Sequence, residues 1–382
     1  MLEYSCPPQT QSRKRKTVDA DAERPLKRAH LTEENLEAFN KMVGPQRTSS
    51  EKYTGQSYTG QSFTAPPTTS TTDKNFGKKT KTTDKNFGTK LQRNNVVYIA
   101  VDAQAAGDVA EIRELLNQRR ASEPPDQLAY NRYLTLTEDH ENERTVEFSV
   151  YTLLSKRTAQ REVSGYFPRL THPWSEVDNH LTKGLSNACP DIVESYRKTD
   201  YPSAVVEALS GDLAPSSYNE AMPTYAVEFK SPTGDMKEAQ WQCAYDGAIM
   251  TEGAFAVHKH LGKSDKNFYH KTQALTVAFN GENIKFYGHH ALQIPLSPQP
   301  GGGVDSSAGI TASTVGTRQY HQYRLASDNP RDSLEDFQSA YKHIRNAEDI
   351  GFEWATERKA EMWVYTNGNN TQTPPDVPTS AR

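Results

Sequence analysis

Between Asn142 and Ile344 the apolar residues switch repeatedly between helical and strand spacing, and this alternation constrains the fold most. Residues 142–155 place Val146, Val150, Leu153 and Leu154 on one helical stripe, and residues 161–167 read as a strand. A second strand begins at Pro190, where Ile192 and Val193 supply β-branched residues. Tyr225-Ala226-Val227-Glu228-Phe229-Lys230 then alternates with period two. Tyr225, Val227 and Phe229 face one way there, and Glu228 and Lys230 the other. Helical spacing returns over 237–260, with Trp241, Ala244, Tyr245 and Ala248 on one face. Strands at 272–279 and 283–289 meet through Asn280-Gly281, a hairpin signal. A further strand is expected at 319–325, and Ser333 caps a helix carrying Leu334, Phe337, Tyr341 and Ile344. Upstream, Val96–Ile99 is a short apolar run and residues 109–119 read as a helix. Helices interleaved with strands predict an α/β (α+β) domain, a central mixed sheet flanked by helices. Between the strands at 190 and 225 the pattern predicts a loop of about thirty residues, punctuated by Pro202, Pro215 and Pro223. A second loop is expected over the Pro/Gly/Ser-rich 295–317.

The flanks differ in kind. Mean hydropathy is strongly negative, so part of the chain cannot bury a core. Residues 1–93 are expected to be a disordered basic tail, 94–365 the folded domain, and 366–382 a disordered tail. The first segment contains short direct repeats, Thr-Thr-Asp-Lys-Asn-Phe-Gly at 71–77 and again at 82–88, which read as duplicated linker. Within it, Arg13-Lys14-Arg15-Lys16 is followed by Lys27-Arg28. Two basic clusters at this spacing predict a bipartite nuclear import signal, an import receptor as partner, and the nucleus as location. The charge is divided unevenly: residues 1–95 hold 17 Lys and Arg against 10 Asp and Glu, net +7, and the remainder 27 against 38, net −11. An acidic body argues against broad, non-specific nucleic-acid binding by the whole domain, although a local basic groove is compatible with it. No apolar run reaches the roughly 20 residues of a membrane helix, and no basic-then-apolar secretory leader is present. Cys6, Cys189 and Cys243 form no Cys-x-x-Cys pair, which fits a reducing compartment.

The candidate chemistry lies in Asp191, Glu228 and Lys230. If the strand that opens with Asp191 neighbours the Glu-x-Lys strand, three charged groups converge on one point. Two carboxylates can hold a hard divalent cation such as Mg²⁺, which polarises a phosphate and acidifies bound water. A lysine beside them can orient that water and stabilise charge developing on phosphate oxygens. The competing reading is an ordinary strand ion pair worth about 0–1 kcal/mol. Other candidates are weaker. His258, His260, His289 and His290 lack accompanying cysteines and read as packing or surface residues. No Gly-x-Ser-x-Gly elbow is present. Gly301-Gly302-Gly303 is not followed by Lys-Ser/Thr, so it reads as loop rather than phosphate cradle.

The stretches Ala188-Cys189-Pro190-Asp191-Ile192-Val193 and Ala226-Val227-Glu228-Phe229-Lys230-Ser231 resemble the motifs of the PD-(D/E)XK nuclease superfamily. Residues 130–365 look more narrowly like a fungal family of uncharacterised proteins carrying such a nuclease-like domain. Ala244-Tyr245-Asp246-Gly247-Ala248, Tyr323-Arg324-Leu325-Ala326-Ser327 and Ser333-Leu334-Glu335-Asp336-Phe337 carry that likeness. The resemblance implies a restriction-endonuclease-like core. It also implies Asp191 and Glu228 as Mg²⁺ ligands, Lys230 as catalytic lysine, and Glu143, or else Glu147, as a helix-borne carboxylate completing the site. The implied activity is phosphodiester hydrolysis in nuclear nucleic acid, DNA first. Its rival is an inactive nuclease fold that serves as a nucleic-acid or protein interaction module. The sequence departs from superfamily members with Gln-x-x-x-Tyr on the following helix: Gln240 is followed at the fourth position by Ala244, and Tyr245 pairs at that spacing with Trp241.

Overall fold

The computed structural model describes residues 79–99, 102–138, 146–155, 164–170, 172–177, 179–294 and 317–369. The chain divides into two units, Met1–Thr72 and Asp73–Arg382, and every described residue belongs to the second. The expected nuclear-import clusters and the first copy of the repeat therefore lie outside the described residues.

In chain order the elements begin with α1 (Phe87–Arg93), β1 (Val96–Val97), α2 (Val109–Asn117) and α3 (Gln127–Glu138). A π-helix, Val146–Tyr151, then runs into a single α-turn, Thr152–Leu154. β2 (Phe167–Leu170), β3 (Ile192–Tyr196), α4 (Ser203–Leu213), β4 (Ala221–Phe229) and α5 (Met236–His260) follow. β5 (Ala274–Phe279), β6 (Ile284–Ile294), β7 (Thr317–Asp328) and α6 (Leu334–Asn369) complete the unit.

The seven strands form one mixed sheet in the order β1-β7-β6-β5-β4-β3-β2. The β1–β7 and β4–β5 pairs are parallel and the other four antiparallel. Helices cover both faces, so all nine residues of β4 are buried although they alternate in direction. Tyr225, Val227 and Phe229 join a core with α2, α3, the π-helix and α6. Ala226 joins the opposite core, built on α5, α1 and α4. The expected mixed α/β sheet flanked by helices is the architecture observed.

The hairpin after β5 closes as its sequence predicts. Asn280 Oδ1 accepts the backbone N–H groups of Glu282 (3.1 Å) and Asn283 (2.8 Å). Gly281 takes the left-handed conformation at φ +85°, where a side chain would be strained.

Four expectations need correction. The strand expected at 161–167 lies later in the chain, as β2 at Phe167–Leu170, with Gly165 in the left-handed conformation at φ +80° just before it. Residues 79–93 belong to the fold, because Phe87 and Leu91 are 0 % exposed and Thr80 pairs with Leu185. α6 continues to Asn369, past the expected limit at 365. The loop expected between 194 and 225 contains α4 and the start of β4. Pro202 precedes the first turn of α4, where a missing N–H costs nothing, and Val205 and Leu213 anchor the helix. α3 was hidden for another reason. Its anchors, Tyr130 and Tyr133, are aromatic and pack on Phe337 at 5.6 and 4.9 Å between ring centroids, without an aliphatic stripe.

Candidate functional site

The antiparallel register Ile192↔Val227 brings the residue before β3 alongside the end of β4. Asp191 Oδ2 accepts the backbone N–H of Phe229 at 2.7 Å, and its carboxyl group is hydrogen-bonded to that of Glu228. Lys230 extends the ladder: its N–H donates to the Phe279 carbonyl at 2.9 Å. Its ammonium donates to the Phe229 carbonyl at 2.9 Å and stands 3.7 Å from Glu238 Oε1 on the first turn of α5. Asp191, Glu228 and Lys230 thus meet at one end of the paired strands β3 and β4. Glu143 lies outside the described residues, and Glu147 falls in the π-helix with its side chain outside them.

Asp246 joins the group from α5. It is 1 % exposed, its carboxyl is hydrogen-bonded to Glu228, and Oδ2 has no hydrogen-bond partner. The sequence holds a signal for it. Ala239, Cys243, Asp246 and Met250 fall at helical spacing and are all buried, so an acid interrupts a stripe that packs on the sheet.

Burial raises the pKa of all three carboxyls. For Asp191 the Phe229 N–H and the Lys230 charge partly offset it. Glu228 is pushed well up by burial, then by the charges of Asp246 and Asp191. Asp246 is raised chiefly by burial and then by Asp191. Carboxylates this close and this dry do not all ionise; they share protons or a cation. The neighbouring thiols are not nucleophiles at neutral pH. Burial, followed by the charge of Asp246, lifts Cys189 to about 11 and Cys243 higher still.

The donors fit a hard divalent cation. They are all oxygens, and Asp246 Oδ2 retains an unused buried lone pair. Among the described residues, no three His, Cys, Asp or Glu side chains are gathered around a common point as metal ligands. The carboxyls instead contact one another directly.

Gln240 donates to the Tyr98 carbonyl at 3.2 Å, and Tyr245 to the Ser186 carbonyl at 3.1 Å. Both fasten neighbouring chain rather than reach the acids. The four histidines singled out in the sequence also have packing partners. His289 bonds Thr276 Oγ1 (2.7 Å), His290 the Gln104 carbonyl (2.8 Å) and His258 the Ser264 carbonyl (2.9 Å), while the His260 ring lies against Tyr365. A cleft of about 820 Å³ lies at the far end of α5, lined by Val257, Phe268, Trp354 and Arg358 among others, and contains none of the site acids.

No described helix is long and apolar enough to cross a membrane. No curated protein matches the chain. A family model described as a domain of unknown function, DUF7924, matches residues 141–358, a span that includes Asp191, Glu228, Lys230 and Asp246. The chain therefore belongs to the DUF7924 family.

Proposed function

We propose that the chain is a Mg²⁺-dependent nuclease of the PD-(D/E)XK type that hydrolyses phosphodiester bonds in nuclear nucleic acid, DNA first. The observation that carries this reading is the convergence of Asp191, Glu228 and Lys230 at the ends of two paired strands. Asp191 and Glu228 would hold the cation, with Asp246 behind Glu228. When bound, it polarises the phosphate and lowers the pKa of water. The Lys230 ammonium, fixed by the Phe229 carbonyl and Glu238, supplies positive charge for the pentacovalent phosphate oxygens. Burial of Glu228 keeps competing water from the inner side of the site.

Purified full-length chain with plasmid DNA or RNA and Mg²⁺ tests the reading. Asp191→Ala and Lys230→Ala are expected to lose about 100-fold or more in cleavage rate while remaining folded. Equal residual cleavage in parent and variants would identify a contaminant and overturn the assignment. In the same reading Arg13, Lys14, Arg15, Lys16, Lys27 and Arg28 address the chain to an import receptor. Unchanged nuclear accumulation after alanine replacement of all six would remove that role.

A second reading, an inactive nuclease fold that binds nucleic acid or protein, draws on the direct carboxyl–carboxyl contacts and the Lys230–Glu238 pair. It expects no cleavage and no Mg²⁺-induced stabilisation that depends on Asp191 and Glu228.

A further inference from the structure

The body of the protein is acidic, yet one folded segment reverses the sign. Residues 79–93 carry Lys79, Lys81, Lys85, Lys90 and Arg93 against a single acid, Asp84. Lys79, Lys81, Lys85 and Arg93 are exposed, and so is the nearby Lys183. Among the described residues none of the five cations of this segment, hereafter the strap, forms an ion pair with a carboxylate. Lys79 and Lys90 instead donate to Asn187 Oδ1 and the Gly184 carbonyl, both at 3.5 Å.

The segment is fastened to the candidate site. Thr80 N–H donates to the Gly184 carbonyl (3.0 Å) and the Thr80 carbonyl accepts Ser186 N–H (2.8 Å). Asn94 Nδ2 donates to the Leu181 carbonyl at 2.8 Å. Phe87 is 0 % exposed and meets Tyr245 edge-on, with ring centroids 5.7 Å apart. The strap therefore lies against the loop that leads into Asp191 and against the helix residue preceding Asp246. It also lies outside residues 141–358, the part shared with the DUF7924 family.

We infer that this basic strap is a track for the phosphodiester backbone of a nucleic acid, running beside the acid cluster. Cations on a folded segment, without carboxylate partners among the described residues and on a body of net −11, form a local positive field that a row of phosphates can neutralise with release of counterions. Thr83, Asn86, Thr89 and Gln92 are exposed between them and add neutral donors for phosphate oxygens. Binding at the strap does not require cleavage; only its role in feeding substrate to Asp191, Glu228 and Lys230 rests on the nuclease reading.

The test is fluorescence anisotropy of the full-length chain with labelled duplex DNA, and with duplex RNA of the same sequence, over a salt series with EDTA replacing Mg²⁺. Neutralising Lys79, Lys81, Lys85 and Arg93 to Gln should lower the slope of log K against log salt by up to about 3.6, at about 0.9 for each of the four phosphate contacts, and weaken binding at least about 10- to 100-fold. These substitutions spare Phe87 and Leu91. Lys85→Glu alone should weaken binding with an unchanged unfolding profile, which guards against misfolding of the multiple variant. Neutralising Arg13, Lys14, Arg15 and Lys16 in parallel measures the tail's share. An unchanged affinity and slope in the strap variants overturns the proposal. So does complete loss of salt dependence from the tail variant alone, or equal competition by polyglutamate of matched charge. Strap-dependent binding without Mg²⁺ cleavage would leave the strap standing and remove the nuclease reading. Asp191-dependent cleavage with binding indifferent to the strap would do the reverse.

Discussion

His289 is wholly enclosed between β6 and α5, and burial, helped by the neighbouring His290, lowers its pKa to about 3. The folded state therefore takes up its proton much less readily than the unfolded chain, whose histidines titrate near 6.5. Its contribution to stability is complete above that value and is lost as the pH falls towards 3. The acid cluster has the opposite sign. Asp191, Glu228 and Asp246 have raised pKa values, so their burial costs more as the pH rises. Comparison with His289→Gln, which can still hydrogen-bond Thr276, isolates the histidine. The difference in unfolding free energy between parent and variant should shift by roughly 2 kcal/mol in the variant's favour between pH 7 and pH 5. A constant difference across that range in urea titrations would show that His289 titrates in the fold as it does in the unfolded chain.

At the scale of elements, the seating of α5 on the sheet decides where the acids fall. Gly247 makes the close approach possible: a Cβ there would lie 2.1 Å from His289 Nδ1. One residue earlier, Asp246 is thereby pressed against Glu228. Gly247→Ala must push the helix off β6 or displace the His289 ring from Thr276, at a cost of roughly 1–3 kcal/mol in urea unfolding. The helix also carries Glu238 to Lys230 and Tyr245 to Ser186. The same substitution should therefore disturb the site as well as the core. A variant as stable as the parent would show that α5 has slack at this crossing.

For the whole molecule, the boundary of the folded unit matters most. A chain beginning at Lys79 retains Thr80, Phe87 and Leu91 in their contacts; one beginning at Asn94 exposes the surfaces they cover. The shorter chain should be less stable by at least about 3 kcal/mol, the order of cost for losing one large buried side chain. Equal denaturation midpoints would place the strap outside the cooperative unit. The charge division then takes on structural sense, because part of the basic N-terminal region is folded onto an acidic body rather than merely tethered to it.

Local chemistry determined much on its own. Period-two alternation at Tyr225–Lys230 gave the facing of Glu228 and Lys230, and Asn280-Gly281 gave the hairpin, because each depends on backbone geometry within a few residues. The two copies of Thr-Thr-Asp-Lys-Asn-Phe-Gly mark the limit of such reading. They are identical in sequence, so nothing inside the motif could reveal that in the second copy Phe87 is buried against Tyr245, far along the chain. Asp246 was obscured similarly: its spacing placed it on a buried stripe, but only the packing of α5 over β4 made it the partner of Glu228. Side-chain direction follows from the local chain, whereas proximity between distant segments is settled by how helices and strands pack. The three expected charges were therefore legible as candidates, and their meeting, with a fourth, was decided by tertiary structure.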